Sequence, residues 1–131
     1  MTSLRTVMNS KIHRATVTEA DINYIGSITI DEDLVDAANI SEWEKIEVLN
    51  LTNGSRLETY VILGERGSGE ICINGAAAHL ASVGDKVIIM HYAHMKEEEY
   101  ESHCPKVLIM NTDNSINQSF HYEPTPSKLP C

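Results

Sequence analysis

Hydrophobic residues in this chain recur mostly at every second position, in short runs broken by turn-forming residues. That spacing puts one face of a strand inside and the other out. Val7 to Glu19 (Val7-Met-Asn-Ser-Lys-Ile-His-Arg-Ala-Thr-Val-Thr-Glu) is rich in β-branched residues with rough alternation and predicts one or two strands. Tyr24-Ile-Gly-Ser-Ile-Thr-Ile sets strand formers on both sides of Gly26-Ser27. Asp31-Glu-Asp-Leu-Val-Asp-Ala-Ala opens on acids and spaces Leu34, Val35 and Ala38 for a short helix. Glu44 to Thr52 and Ser55 to Leu63 predict the arms of a hairpin around Asn53-Gly54, where both residues tolerate positive φ. Glu65-Arg-Gly-Ser-Gly predicts a turn, Glu70-Ile-Cys-Ile-Asn a short strand, and Gly75 to Ala81 a small helix opened by a glycine. Val87-Ile-Ile-Met-His-Tyr-Ala predicts a strand, Lys96 to Ser102 a charged turn or short helix, and Val107 to Met110 a last strand. About seven short strands at regular spacing predict a mainly β chain closed as a small barrel. From Asn111 onward the composition turns to Asn, Ser, Thr and Pro, with Pro124, Pro126 and Pro130, and predicts a disordered, flexible tail over 111–131 outside a domain of residues 1–110.

Composition narrows what such a barrel does. With 131 residues the chain makes one domain, and 42% hydrophobic residues with a single Trp and a single Phe imply an aliphatic core. A net charge of −9 argues against a nucleic-acid surface, which needs clustered Lys and Arg. It also repels a free anionic substrate, so any such site must gather its cations locally. The three cysteines, Cys72, Cys104 and Cys131, form no CxxC pair and read as reduced thiols rather than a disulfide framework or zinc site. His91 and His94 are three apart on a strand and face opposite sides, so no metal is expected. With no apolar run long enough to span a bilayer and no apolar N-terminal region, the expectation is a soluble cytoplasmic protein with no membrane partner.

Taken alone, Gly26-Ser27 reads as a turn, as Gly54-Ser55 and Gly67-Ser68 do. Its neighbours change that. Lys11-Ile-His-Arg-Ala-Thr-Val-Thr running on to Tyr24-Ile-Gly-Ser, then Asn50-Leu-Thr-Asn-Gly-Ser-Arg-Leu-Glu-Thr-Tyr, then Glu65-Arg-Gly-Ser-Gly with Ile73-Asn-Gly-Ala-Ala-Ala-His and Ser82-Val-Gly-Asp, occur in one order. Together they resemble the pyruvoyl-dependent aspartate 1-decarboxylases, over roughly Met8 to Met90. Two positions depart from the family's pattern: Leu49, where some members carry Trp, and Ile25, where a polar or acidic residue is frequent.

The resemblance implies a double-psi β-barrel with short helices, assembled as a homotetramer with sites at subunit interfaces. It implies a carboxy-lyase that decarboxylates L-aspartate to β-alanine for pantothenate biosynthesis. It also implies a zymogen that cuts itself between Gly26 and Ser27 into a β chain, 1–26, and an α chain, 27–131, unaided or with a maturation helper protein. The cofactor is then a covalent pyruvoyl group made from Ser27, whose ketone takes the substrate amine as a Schiff base. Such chemistry needs an electron sink, because losing CO2 leaves a carbanion that no side chain delocalises. Gly26 suits attack by the Ser27 hydroxyl because it has no Cβ and tolerates strained backbone.

The same resemblance assigns Tyr24 and Thr59 to processing, Thr59 as a hydroxyl donor to the oxyanion, and Tyr60 to proton donation at Cα. Lys11 and the planar fork of Arg56 are expected on the substrate's side-chain carboxylate. The α-carboxylate is expected to be held less tightly, since it must lose its charge. Thr59, Asn74, Gly75, Ala76 and Ala77 are expected to line the substrate site, with anion-favouring N–H groups at the start of the helix after Gly75. His13, two residues from Lys11, shares its strand face. On strand alternation Arg56 and Tyr60 share a face that Thr59 does not, so either the sites lie where subunits or barrel faces meet or a local twist breaks the alternation. A non-catalytic barrel that binds a partner and stays uncut is the competing reading.

Overall fold

A computed structural model describes residues 3–124 of the chain. Nine strands form one sheet in the order β2-β6-β3-β5-β4-β7-β1-β8-β9. They are β1 Arg5–Thr16, β2 Glu19–Asp21, β3 Ser27–Asp31, β4 Lys45–Asn50, β5 Arg56–Gly64, β6 Ile71–Asn74, β7 Lys86–Met95, β8 Lys106–Met110 and β9 Ile116–His121. Two short helices, α1 Glu32–Ala37 and α2 Glu97–Glu101, interrupt them. Parallel pairs (β1 with β8, β2 with β6, β3 with β5) mix with antiparallel ones, so the chain crosses over instead of meandering. Ile12, Ile28, Ile30, Ile46, Val48, Val61, Ile71, Ile73, Val87, Ile89 and Leu108, from seven of the strands, belong to one buried cluster. One sheet can point that many strands at a single core only by curling around it. This is the mainly β barrel expected, with nine strands where pattern counting gave about seven.

The hairpin stands where predicted, with Val48 opposite Leu57 and Leu49 opposite Arg56. Its turn differs. Only Gly54 takes a positive φ, +79°, and the Asn53 side chain instead accepts from the Ser55 N–H at 2.8 Å. The Glu65-Arg-Gly-Ser-Gly turn is structural. Asp31 is buried and accepts from the Asp33, Gly67 and Gly69 amides, while Arg66 binds Glu32, Asp33 and Asp36 of α1.

Three expectations are corrected. Part of the segment read as a tail is built into the sheet, because β9 pairs antiparallel with β8. It is exposed throughout, in keeping with its polar composition. Residues 125–131, with Pro126 and Pro130, lie outside the described residues. Asn114 anchors the segment: it is buried, has φ +64°, and its amide takes the Thr16 N–H and donates to the Thr16 and Gly69 carbonyls. Asn114→Ala, which strands these groups, is expected to cost about 2–4 kcal/mol in denaturant unfolding; an unchanged midpoint would show the staple to be idle. Second, the helix expected over Gly75–Ala81 is a single 3-10 turn, Gly75–His79. Third, Cys104 is disulfide-bonded, which departs from three reduced thiols, while Cys72 is free and buried.

Candidate active site

At the start of β3 an exposed loop meets the interior. Tyr24, Ile25 and Gly26 are exposed, Ile25 at 76%, and the next residue, Ser27, is fully buried. A turn at Asp21, whose carboxylate accepts the Asn23 N–H at 2.9 Å, brings the chain round to this point. The Ser27 hydroxyl donates to the Ile25 carbonyl at 3.3 Å and accepts from Asn74 Nδ2 at 3.0 Å.

Register explains these contacts. β3 runs antiparallel to β6, with Ser27 opposite Asn74 and Thr29 opposite Cys72. Ile28 and Ile30 point with Ile71 and Ile73 into the core, so by alternation Ser27, Thr29, Cys72 and Asn74 share the other face. Asn74 Nδ2 also donates to Thr29 Oγ1 at 3.1 Å, and Cys72 Sγ donates to Asn74 Oδ1 at 3.0 Å. Gly75 then takes φ +70°, turning the chain under Gly26 so closely that a Cβ there would stand 2.5 Å from the Gly26 Cα.

β5 flanks the same point on the other side. Its parallel ladder with β3 begins at Ile28 opposite Val61, so Tyr60 precedes Val61 as Ser27 precedes Ile28. The two side chains share a face on adjacent strands, about 4.8 Å apart at the backbone. Tyr60 also sits 6.3 Å from the Trp43 ring. Thr59 faces inward with Leu57 and Val61, as alternation requires.

Other expected residues stand away from Ser27. Ala76 and Ala77 follow directly in the 3-10 turn, but one turn sums too few peptide dipoles to favour an anion as a longer helix would. Arg56 begins β5 at the hairpin end, largely exposed, with Glu47 at 3.9 Å. Lys11 is on β1, with β5, β4 and β7 between it and β3. Its ammonium donates to the Tyr122 hydroxyl at 3.2 Å and lies 5.4 Å from that ring. His13, on the same strand, is held below its ordinary pKa by burial first, then by Lys11 and Arg14. A cavity of about 330 Å³ is lined by Lys45, Glu47, Glu58 and His94 among others, and Ser27 is not part of it. Among the described residues of one chain, no cluster of cations forms around the Ser27 junction.

Cys72 and Thr29 escaped the sequence reading, though Cys72 and Asn74 alternate with Ile71 and Ile73 and so had to share a face. The Cys72 thiol is pushed from 9.0 up to about 11, by burial first and then by Glu19, Glu70 and Asp21. The folded chain therefore holds this proton more tightly than the unfolded chain. That stability is fully present below about pH 9 and is lost as pH rises through about 11. Between those limits the parent is expected to lose about 2 kcal/mol more than Cys72→Ser in denaturant melts; parallel losses would rule the thiol out as the cause.

The aspartate decarboxylase family matches residues 3–117. Aspartate 1-decarboxylases of Staphylococcus aureus strains MSSA476 and JH9 are each 58% identical over 118 residues, covering 90% of this chain and 93% of their own. Among solved structures, the computationally designed msDPBB_sym2 protein is similar over 66% of this chain and 99% of its own, at 19% identity and a TM-score of 0.42.

Proposed function

This chain belongs to the aspartate decarboxylase family, and on that premise we propose that it converts L-aspartate to β-alanine and CO2 for pantothenate biosynthesis after cutting itself between Gly26 and Ser27. The observation that carries the reading is the junction itself: a buried hydroxyl next to an exposed glycine, held by Asn74 at 3.0 Å. The uncut binding module has no comparable support, since nothing in a passive barrel requires that arrangement.

Processing follows from the chain's own atoms. Ser27 Oγ bonds to the Gly26 carbonyl carbon as the C–N bond breaks, and the hydroxyl proton ends on the freed nitrogen. The Ser27 Cα–H proton then leaves, the Cβ–Oγ bond opens, and Gly26 departs as a carboxylate carrying Oγ. Water replaces the nitrogen, released as ammonia, and a ketone remains at residue 27. Asn74 Nδ2, already on Oγ, stabilises the charge that builds there, and Thr59 is assigned to the oxyanion at the Gly26 carbonyl. Gly75 keeps backbone close enough to hold Gly26 still, and Tyr24 borders the same loop.

The residues around Ser27 fit a pyruvoyl group: the site is buried and has a donor amide, Asn74 Nδ2, at 3.0 Å. Bound there, the group withdraws electrons from the substrate Cα. Tyr60, on the face and adjacent strand of Ser27, supplies the proton to that carbon, and Asn74, Gly75, Ala76 and Ala77 border the substrate. Lys11 and Arg56 bind the side-chain carboxylate. Because β5, β4 and β7 separate Lys11 from Ser27 in one chain, that ammonium comes from a neighbouring copy in a homotetramer, whereas Arg56 stands on β5, the strand beside β3. Among the described residues no helix is long and apolar enough to cross a membrane, and the reading is of a cytoplasmic enzyme.

Intact mass and a denaturing gel test it. Warm incubation of the purified chain is expected to yield a piece ending at Gly26 and a ketone-blocked remainder, with β-alanine formed from aspartate. Cleavage only when cell extract is added would call for a helper protein. A chain that stays whole in both conditions and makes no β-alanine would sink the proposal. Tyr60→Phe is expected to cut normally but to turn over about 10²-fold more slowly; undiminished turnover would remove Tyr60 from proton donation.

A further inference from the structure

Ser27, Thr29, Cys72 and Asn74 form a box of polar side chains on one face of the β3 and β6 ladder. Within it the amide of Asn74 has to choose an end. Two of its neighbours are hydroxyls, Ser27 Oγ at 3.0 Å and Thr29 Oγ1 at 3.1 Å. The Thr29 hydroxyl donates or accepts equally well, whereas the Ser27 hydroxyl has its hydrogen on the Ile25 carbonyl and so accepts from the amide nitrogen. The third neighbour is Cys72, whose Sγ lies 3.0 Å from Asn74 Oδ1. A protonated thiol is a donor and only a weak acceptor. It therefore favours the oxygen on its own side and sends Nδ2 toward Ser27. With the amide reversed, Ser27 Oγ would face a carbonyl oxygen, which stabilises no negative charge.

We propose that Cys72 is a positioning residue for self-cleavage, holding the Asn74 amide so that its N–H stays on Ser27 Oγ while that oxygen leaves with Gly26. The inference rests on the reading that the chain cuts at Gly26–Ser27. Two further features support it. Cys72, Asn74 and Ser27 are all buried, so no water substitutes for the missing donor. The carboxylates of Glu19 and Glu70 lie within 4.8 Å of the sulfur; they keep the thiol protonated, and Glu19 is a second acceptor for its proton beside Asn74 Oδ1.

The test compares Cys72→Val, close to cysteine in shape but without a donor, with Cys72→Ala and Cys72→Ser. Rates of cleavage are read by intact mass, and the amount of ester by release of the N-terminal piece with neutral hydroxylamine. Losing one buried hydrogen bond is worth about fivefold to tenfold in rate. Val and Ala are expected to slow cleavage by that factor and to raise the hydroxylamine-released fraction, while Ser restores most of the rate. In an Asn74→Ala background Cys72→Val is expected to slow nothing further, because the amide it would orient is gone. A residue that only packs the strand would slow both backgrounds alike, and that result overturns the proposal. So does parental cleavage in both Val and Ala. Should one of these two fail to fold, the other is read in both backgrounds. A parent chain that never cuts brings down the underlying function and this inference with it, whereas a cutting parent with an indifferent Cys72 brings down the inference alone.

Discussion

Gly75→Ala is expected to stop cleavage at Gly26–Ser27 and to lower the melting temperature by about 10 °C. Two effects add at this position. The backbone φ is +70°, where a Cβ costs roughly 1–2 kcal/mol against its own carbonyl. The added methyl would also stand 2.5 Å from Gly26 Cα, 2.8 Å from Gly26 N and 3.2 Å from the Tyr24 carbonyl oxygen. All three are backbone atoms, so no side chain can rotate out of the way, and the scissile loop itself must shift. Gly54 provides the control. Its φ is +79° but nothing lies within 4 Å of its added Cβ. Gly54→Ala should show only the conformational cost, roughly 1–2 kcal/mol, and should still cut. Equal rates of cleavage in both variants would mean that the close approach of Gly75 to Gly26 is irrelevant to processing.

Ser27→Ala is expected to leave a single uncut chain and no measurable β-alanine. The change removes the oxygen that must bond to the Gly26 carbonyl, and with it the atom from which the cofactor is made. Stability should fall little, by about 1 kcal/mol, because the Asn74 amide keeps Thr29 Oγ1 when it loses Ser27 Oγ. The loss of activity then cannot be ascribed to unfolding, which circular dichroism and thermal melts would verify. Decarboxylation by a folded Ser27→Ala chain would end the pyruvoyl reading, since unmodified side chains supply no electron sink.

Local features of the molecule were legible in order along the chain. Alternation in Lys45–Asn50 and Arg56–Gly64 around Asn53-Gly54 specifies a hairpin because neighbouring strands with short connections pair at once. The acids and apolar spacing after Asp31 specify α1, with Asp31 itself capping it. The opposed faces of Thr59 and Tyr60 follow from a period of two alone. The segment from Asn111 was misjudged for an equally local reason: β9 buries nothing, so its composition carries no core signal, and it is held by backbone pairing with β8 and by one asparagine.

Contacts between residues distant in sequence belong to another class. The chain by itself determined most of the strands, the helix after Asp31, the aliphatic interior and, through its ordered motifs, the family. Only the tertiary structure decided that β6 lies against β3, which brings Cys72 and Asn74 to Ser27 and Gly75 under Gly26. It also decided that Lys11 stands beside Tyr122, with three strands between it and Ser27's strand. The physical reason is that periodicity tells which way a side chain points, whereas strand order and register tell what it meets. Those depend on how the sheet closes around its core, which is a property of all the strands at once.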